Sequence, residues 1–169
     1  MADKRRFDLF AELLRAEFPH ARRVFDVAGG QGKLNEALSR RGCEVTTFDR
    51  RHKHLPVTFA ERDFTLDEPC ACELVVGMHP DGATRVIIEY AAKHGVPFAI
   101  VPCCSDNSMP YKPWMRHLAE LATAQGLEVS EVELPMEGRA RVILGRPRHG
   151  TEKPSGDGGF QDPRGDRAV

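Results

Sequence analysis

The sequence has no apolar run long enough to span a bilayer as a helix, no CxxC pair, no internal repeat and almost no net charge. Without such a run, a membrane-spanning helix is not expected. The five cysteines (Cys43, Cys70, Cys72, Cys103 and Cys104) are odd in number and lack zinc-ribbon or dithiol-redox spacing. They predict neither a metal site nor a disulfide framework, so a reducing compartment is the expectation. With 24 basic and 25 acidic residues there is no global field to draw the protein onto nucleic acid or anionic lipid. The opening MADKRRFDLFAELLRAEF is basic, but Asp8, Glu12, Arg15 and Glu17 interrupt its apolar residues. A secretory signal has a continuous apolar region instead, so a cytoplasmic or nuclear setting is expected, cytoplasmic by default.

What remains is ordinary globular chemistry: 41% hydrophobic and 29% charged residues in a chain of 169. That length suits one domain burying roughly 70% of the surface of its unfolded form, and a second domain is not expected. Phe7, Phe10, Leu14 and Phe18 recur at helical spacing, so residues 4–18 are read as an amphipathic helix ended by Pro19. Residues 1–21 form this N-terminal element, packed on a domain of residues 22–146. From 147 to 169 glycine, proline and charge leave little to bury, which predicts a flexible polar tail.

Within the domain, a strand at 22–30, a helix at 31–41 and a strand at 43–50 form a β-α-β unit. Further strands are expected at 57–64, 73–79 and 97–104, with helices at 84–95 and 111–125, and a final pair of strands turns at Glu137-Gly138-Arg139. LVV and FAIV are continuously apolar, as in a sheet covered on both faces. The fold class is therefore α/β, a three-layer sandwich on a mostly parallel sheet of about seven strands with the final pair antiparallel.

The strongest local feature is Phe25-Asp26-Val27-Ala28-Gly29-Gly30-Gln31-Gly32, a strand running into a glycine-rich turn before a helix. Glycines allow positive φ and close approach of a ligand to the backbone, though they also serve a plain tight turn. A Walker loop needs GxxxxGK[ST], but Val27 stands at the first glycine and Leu34 follows Lys33. A dinucleotide fingerprint places its third small residue at Asn35, whose side chain would obstruct close approach of the helix. Asp49 ends the second strand 17 residues after Gly32, where a carboxylate can accept two ribose hydroxyls or simply cap the strand.

Asp26, Ala28, Gly30 and Gly32 resemble the (D/E)xGxGxG motif of class I S-adenosylmethionine-dependent methyltransferases, with Ala28 replacing the first glycine. The resemblance covers residues 22–145 and implies a Rossmann-like methyltransferase fold with S-adenosyl-L-methionine as cofactor. It implies further that the loop, with Gly29, approaches the methionine part and that Asp26 orients the ammonium end. Asp49 would hold the ribose, Arg50 flank the adenine, and Asp63 with Phe64 meet its edge. VVGMHPDGAT and AIVPCC are also similar to tRNA 2'-O-methyltransferases of the Trm13 kind, although Pro80-Asp81 follows His79 where those proteins have a cysteine beside the histidine.

After the fourth strand come Met78, His79 and Asp81, at the carboxyl end where open α/β sheets build their crevice. His79 is the catalytic candidate, able to take a proton from a hydroxyl or amine, or else to line the pocket. Met78 is read as cofactor packing and Asp81 as a helix N-cap. Cys103 or Cys104 could attack a base covalently, though free cysteines more often fill core. The loop 105–114 and the basic segment RRHKH at 50–54 favour RNA among macromolecular acceptors, unless Trp114 is core and the segment merely solvated. The resulting expectation is a methyltransferase, acting on tRNA or other RNA. Its rivals are a small-molecule acceptor and a noncatalytic cofactor-binding scaffold that relies on a protein partner for recognition.

Overall fold

The computed structural model of the chain describes residues 3–102 and 109–148. Cys103, Cys104, the polar loop as far as residue 108 and the tail from residue 149 lie outside the described residues. The element order is α1 (Arg6–Glu17), β1 (Arg23–Val27), α2 (Lys33–Ser39), β2 (Glu44–Asp49), β3 (Phe59–Glu61), β4 (Leu74–Met78), α3 (Thr84–His94), β5 (Phe98–Val101), α4 (Tyr111–Ala124), β6 (Leu127–Glu133) and β7 (Arg141–Pro147).

These strands form one seven-stranded sheet in the order β3-β2-β1-β4-β5-β7-β6. All neighbours pair in parallel except β7, which runs against both β5 and β6. Alternation along each strand splits the core in two. Val24, Val45, Leu74 and Val76 meet Phe10 and Leu14 of α1 and Leu34 and Leu38 of α2. On the other face Phe25, Val75, Phe98 and Ile100 meet Ile87 and Ile88 of α3 and Leu118 of α4. Burying each such side chain stabilises the fold by about 1.5–3 kcal/mol, so a central strand needs apolar residues on both faces. All five residues of β4 are buried for that reason. The α/β sandwich expected from the sequence is the observed architecture.

Three local expectations differ. A third strand at 57–64 contracts to the three residues of β3. Val57 N–H turns back to the Leu55 carbonyl at 2.8 Å, and Arg62 N–H to that of Ala60 at 2.9 Å, so turns close both ends. Asp81 is not the N-cap of α3: that position falls to Ala83, with no side-chain capping bond. At the other end of the chain, β7 runs to Pro147, the first residue of the segment expected to be tail, and the Arg146 guanidinium reaches the Glu17 carboxylate at 2.7 Å while stacking on Phe18.

Candidate functional site

The parallel strands β1, β2 and β4 all end at one edge of the sheet, and their loops enclose a two-lobed cleft. In the loop after β1, three residues adopt left-handed backbone: Ala28 at φ 53°, Gly30 at φ 60° and Gly32 at φ 91°. For Ala28 this conformation costs about 1–2 kcal/mol, and its N–H bond to the Phe48 carbonyl at 2.8 Å helps hold it there. The adjacent glycines serve opposite sides. A Cβ on Gly30 would meet nothing within 4 Å, so this position faces open space, whereas one on Gly29 would collide with Asp26 Oδ2.

Asp26 is thus beneath the loop rather than in the cleft. Its side chain is fully enclosed, Oδ2 accepts a bond from Thr47 Oγ1 at 2.9 Å, and Oδ1 has no partner. Burial pushes its pKa up to about 7, opposed by the Thr47 bond and assisted by the charge of Asp49. Asn35, the residue expected to obstruct helix approach, instead fastens α2 to the sheet. Its Nδ2 donates to Thr47 Oγ1 at 3.0 Å, the Thr58 carbonyl at 3.1 Å and the Val45 carbonyl at 3.2 Å.

Asp49, at the end of β2, accepts from Gly30 N–H at 2.8 Å and from Arg51 N–H at 3.1 Å. One carboxylate therefore links the glycine loop to the start of the β2–β3 connection. It also lies between the lobes, which share Ala28, Asp49 and Asp81. The larger lobe, about 550 Å³, is bounded by Phe48, Arg50, Asp63 and Phe64. Arg50 grips Asp63 through both carboxylate oxygens, one at 2.6 Å, and this holds the Asp63 carboxyl below its ordinary pKa. Phe64 is buried edge-on against Phe48 and Tyr90. The basic segment is paired as well: His52 Nδ1 and His54 Nε2 face the two oxygens of Glu61 at 3.0 and 3.3 Å.

The smaller lobe, about 380 Å³, brings Gly29 and Gly30 together with Met78 and His79. His79 has φ 51°, a sparsely populated conformation for a residue with a side chain. Backbone bonds over-determine it: His79 N–H donates to the Val101 carbonyl at 2.8 Å, and its own carbonyl accepts from Asp81 N–H at 2.9 Å. Nδ1 is buried without a partner. Burial, then the nearby charge of Arg6, lowers the His79 pKa and so favours the neutral ring.

Two lining residues, Arg6 and Phe7, come from the first turn of α1, which the sequence placed outside the site. Helical periodicity identified the buried face of α1 but carried no signal about what its first turn covers. Trp114 lies 3% exposed in the core between sheet and α4, so it is not a surface stacking platform. Cys70 is exposed and Cys72 buried ahead of β4, and among the described residues no cluster of histidine, cysteine or carboxylate is arranged to hold a metal. Nor, among them, is any helix long and apolar enough to cross a membrane.

No protein-family model and no curated protein matches this chain. Solved structures do. DesVI of Streptomyces venezuelae superposes with a TM-score of 0.63 at 16% identity, over 85% of this chain and 91% of that one. The sugar N-methyltransferase KedS8 of a Streptoalloteichus species gives 0.63 at 12% identity, over 86% and 87%. Magnesium protoporphyrin IX methyltransferase of Synechocystis, solved with bound S-adenosylmethionine, gives 0.64 at 13% identity, over 84% and 78%. Identities this low establish a shared architecture, and the chain has the Rossmann-like fold of class I S-adenosylmethionine-dependent methyltransferases.

Proposed function

We propose that the protein is an S-adenosylmethionine-dependent methyltransferase acting on a small-molecule acceptor. The supporting observation is the two-lobed cleft, with an open glycine backbone and the Asp49 carboxylate on one side and the unpartnered His79 nitrogen on the other. Its lobes fall within the roughly 300–1,000 Å³ of small-molecule sites. The donor set suits S-adenosylmethionine. Asp49 would take the ribose hydroxyls, exchanging its bond to Gly30 for them. Phe64, Arg50 and Asp63 would border the base, Ala28, Gly29 and Gly30 the amino-acid end, and Met78 the sulfur side, while Gly32, whose Cβ direction points at Val57, would serve by turning the loop into α2. Asp26 would act from below, by setting the loop.

When bound, the cofactor supplies a methyl group already activated on a sulfonium, so much of the rate comes from alignment. His79, neutral and fixed by its backbone bonds, accepts the proton that an acceptor hydroxyl or amine loses as it takes the methyl group.

The pairing of Arg50 with Asp63 and of Arg51 with Asp49 offsets both arginines of the expected phosphate-binding segment, and His52 and His54 are engaged by Glu61. Trp114 is withdrawn into the core. Both features favour a small acceptor over RNA, as do relatives that act on a sugar or on magnesium protoporphyrin IX. The narrower likeness to tRNA 2'-O-methyltransferases rests partly on Cys103 and Cys104, outside the described residues. A cytoplasmic setting belongs to the same proposal.

The test is thermal unfolding with S-adenosylmethionine or S-adenosylhomocysteine. A hundredfold excess over Kd should stabilise the native state by about 2.7 kcal/mol, or raise Tm by roughly 5–10 °C at this size. No shift refutes the cofactor assignment. Binding without labelled-methyl transfer to any acceptor in a cell extract would favour the noncatalytic scaffold.

A further inference from the structure

Of the cations lining the smaller lobe, Arg6 and Lys33 have no carboxylate partner among the described residues, and of these two only Arg6 has a buried nitrogen without a hydrogen bond. Arg5 pairs with Asp3 at 3.0 Å, Arg40 and Arg41 pair with Asp8 at 3.0 and 3.1 Å, and Arg51 lies 3.9 Å from Asp49. Among the described residues no carboxylate pairs with Arg6, and its Nε is buried without a hydrogen-bond partner. The guanidinium packs over the Phe7 ring, 4.6 Å from the centroid, so one face is backed by an aromatic surface. It shares the smaller lobe with His79, whose Nδ1 is also buried and unpartnered.

On a residue that lines the lobe, the unpartnered Arg6 N–H is an unmet demand for an acceptor such as an oxyanion, while the neutral His79 ring beside it offers a lone pair to a proton. A buried donor without an acceptor costs about 1–3 kcal/mol, and more when charged, unless a ligand completes it. Arg is suited to the task because its planar fork meets a carboxylate or phosphate through two parallel bonds. Neither Arg6 nor His79 borders the larger lobe, so the pair is displaced from the proposed nucleoside end.

We infer that Arg6, beside His79, is a specificity-determining cation that selects a small acceptor carrying a carboxylate or phosphate next to the atom to be methylated. The inference rests on the methyltransferase reading. A base belongs where the acceptor loses its proton, and the cation adjoining that base therefore meets the acceptor. The competing source of an oxyanion is the cofactor's own amino-acid carboxylate, and the two make opposite predictions.

The experiment compares wild type with Arg6→Gln and the charge-conserving Arg6→Lys by calorimetry. The probes are S-adenosylhomocysteine, 5'-methylthioadenosine (which lacks the amino-acid end), benzoate, phenyl phosphate and neutral benzamide. With S-adenosylhomocysteine bound, wild type should take up benzoate or phenyl phosphate in preference to benzamide. Arg6→Gln should lose about tenfold or more of that anion affinity, Arg6→Lys should restore part of it, and S-adenosylhomocysteine affinity should be unchanged.

If Arg6→Gln instead weakens S-adenosylhomocysteine while sparing 5'-methylthioadenosine, or if benzoate displaces S-adenosylhomocysteine, Arg6 serves the cofactor and the inference is overturned. Equal anion binding by wild type and Arg6→Gln also overturns it, as does binding of an RNA dinucleotide where neither small anion binds. Failure of wild type to bind either nucleoside would refute the methyltransferase reading itself. The anion arms, run on the free protein, would still decide whether Arg6 forms an oxyanion site.

Discussion

Replacing Asp26 with asparagine tests the feature beneath the glycine loop that most distinguishes this site from a plain turn. Asp26 titrates near 7 in the folded protein because burial disfavours its charge, against an ordinary value of 3.8. Below about pH 4 both folded and unfolded states are protonated, and the group contributes no pH dependence. Between about pH 4 and 7 the unfolded chain releases the proton while the native state keeps it, so stability falls as pH rises. The difference between the unfolded and folded titration points corresponds to about 4 kcal/mol, and above pH 7 the loss levels off. Asparagine has nearly the same shape, and its carbonyl oxygen can still accept from Thr47 Oγ1, but it does not titrate. Urea unfolding of wild type and Asp26→Asn at intervals from pH 4 to 8 should therefore diverge, the variant gaining about 4 kcal/mol relative to wild type across the range. Parallel profiles would refute the claim that Asp26 is held neutral by burial.

The glycine loop offers a second test. Gly29→Ala drives a Cβ onto the Asp26 carboxylate and should cost about 1–3 kcal/mol or more in urea unfolding. Gly30→Ala meets open space and should cost only about 1 kcal/mol through its left-handed backbone, yet weaken S-adenosylhomocysteine binding. Asn35→Ala removes the three contacts made by Nδ2 and the bond Oδ1 accepts from Ser39 Oγ at 2.9 Å, and should destabilise by about 2–3 kcal/mol, read by the same unfolding assay. For His79→Ala, turnover should fall about 10²- to 10⁴-fold with little change in cofactor affinity. The acid limb of the wild-type rate profile should lie below the ordinary histidine value, because burial and the Arg6 charge, among the surrounding Lys33, Asp49, Arg51 and Asp81, favour the neutral ring. A limb at or above that value would reject His79 as the base.

The legible parts of the fold are those written in short stretches of sequence. LVVGM and FAIV are apolar on both alternations because both faces of β4 and β5 are covered, and glycines at 42, 95 and 126 mark the ends of helical segments. β3 is shorter than its sequence suggests for the opposite reason. Its alternation persists beyond the three residues that pair with β2, but backbone turns at Val57 and Arg62 take the chain away from the ladder. The same distinction divides the site. Ala28 through Gly32 are contiguous and declare themselves as a loop, whereas Asn35 reads as an obstruction until its three carbonyl and hydroxyl partners, 10 to 23 residues further on, are in view.

Charge shows most plainly why a count of residues falls short of a site. Within the near balance of 24 basic and 25 acidic residues, several arginines at the cleft end of the sheet are locally paired: Arg5 with Asp3, Arg50 with Asp63, Arg51 with Asp49 and Arg62 with Glu68. A polyanion gains affinity by releasing counterions from a run of free cations, and each cation already neutralised by a neighbouring carboxylate has less to offer it. A small anion needs only one well-placed, desolvated donor group. Arg6, backed by Phe7 and adjoining His79, meets that condition, and the paired cations around it are the physical reason to expect selection of a single charged group over attraction to a charged backbone.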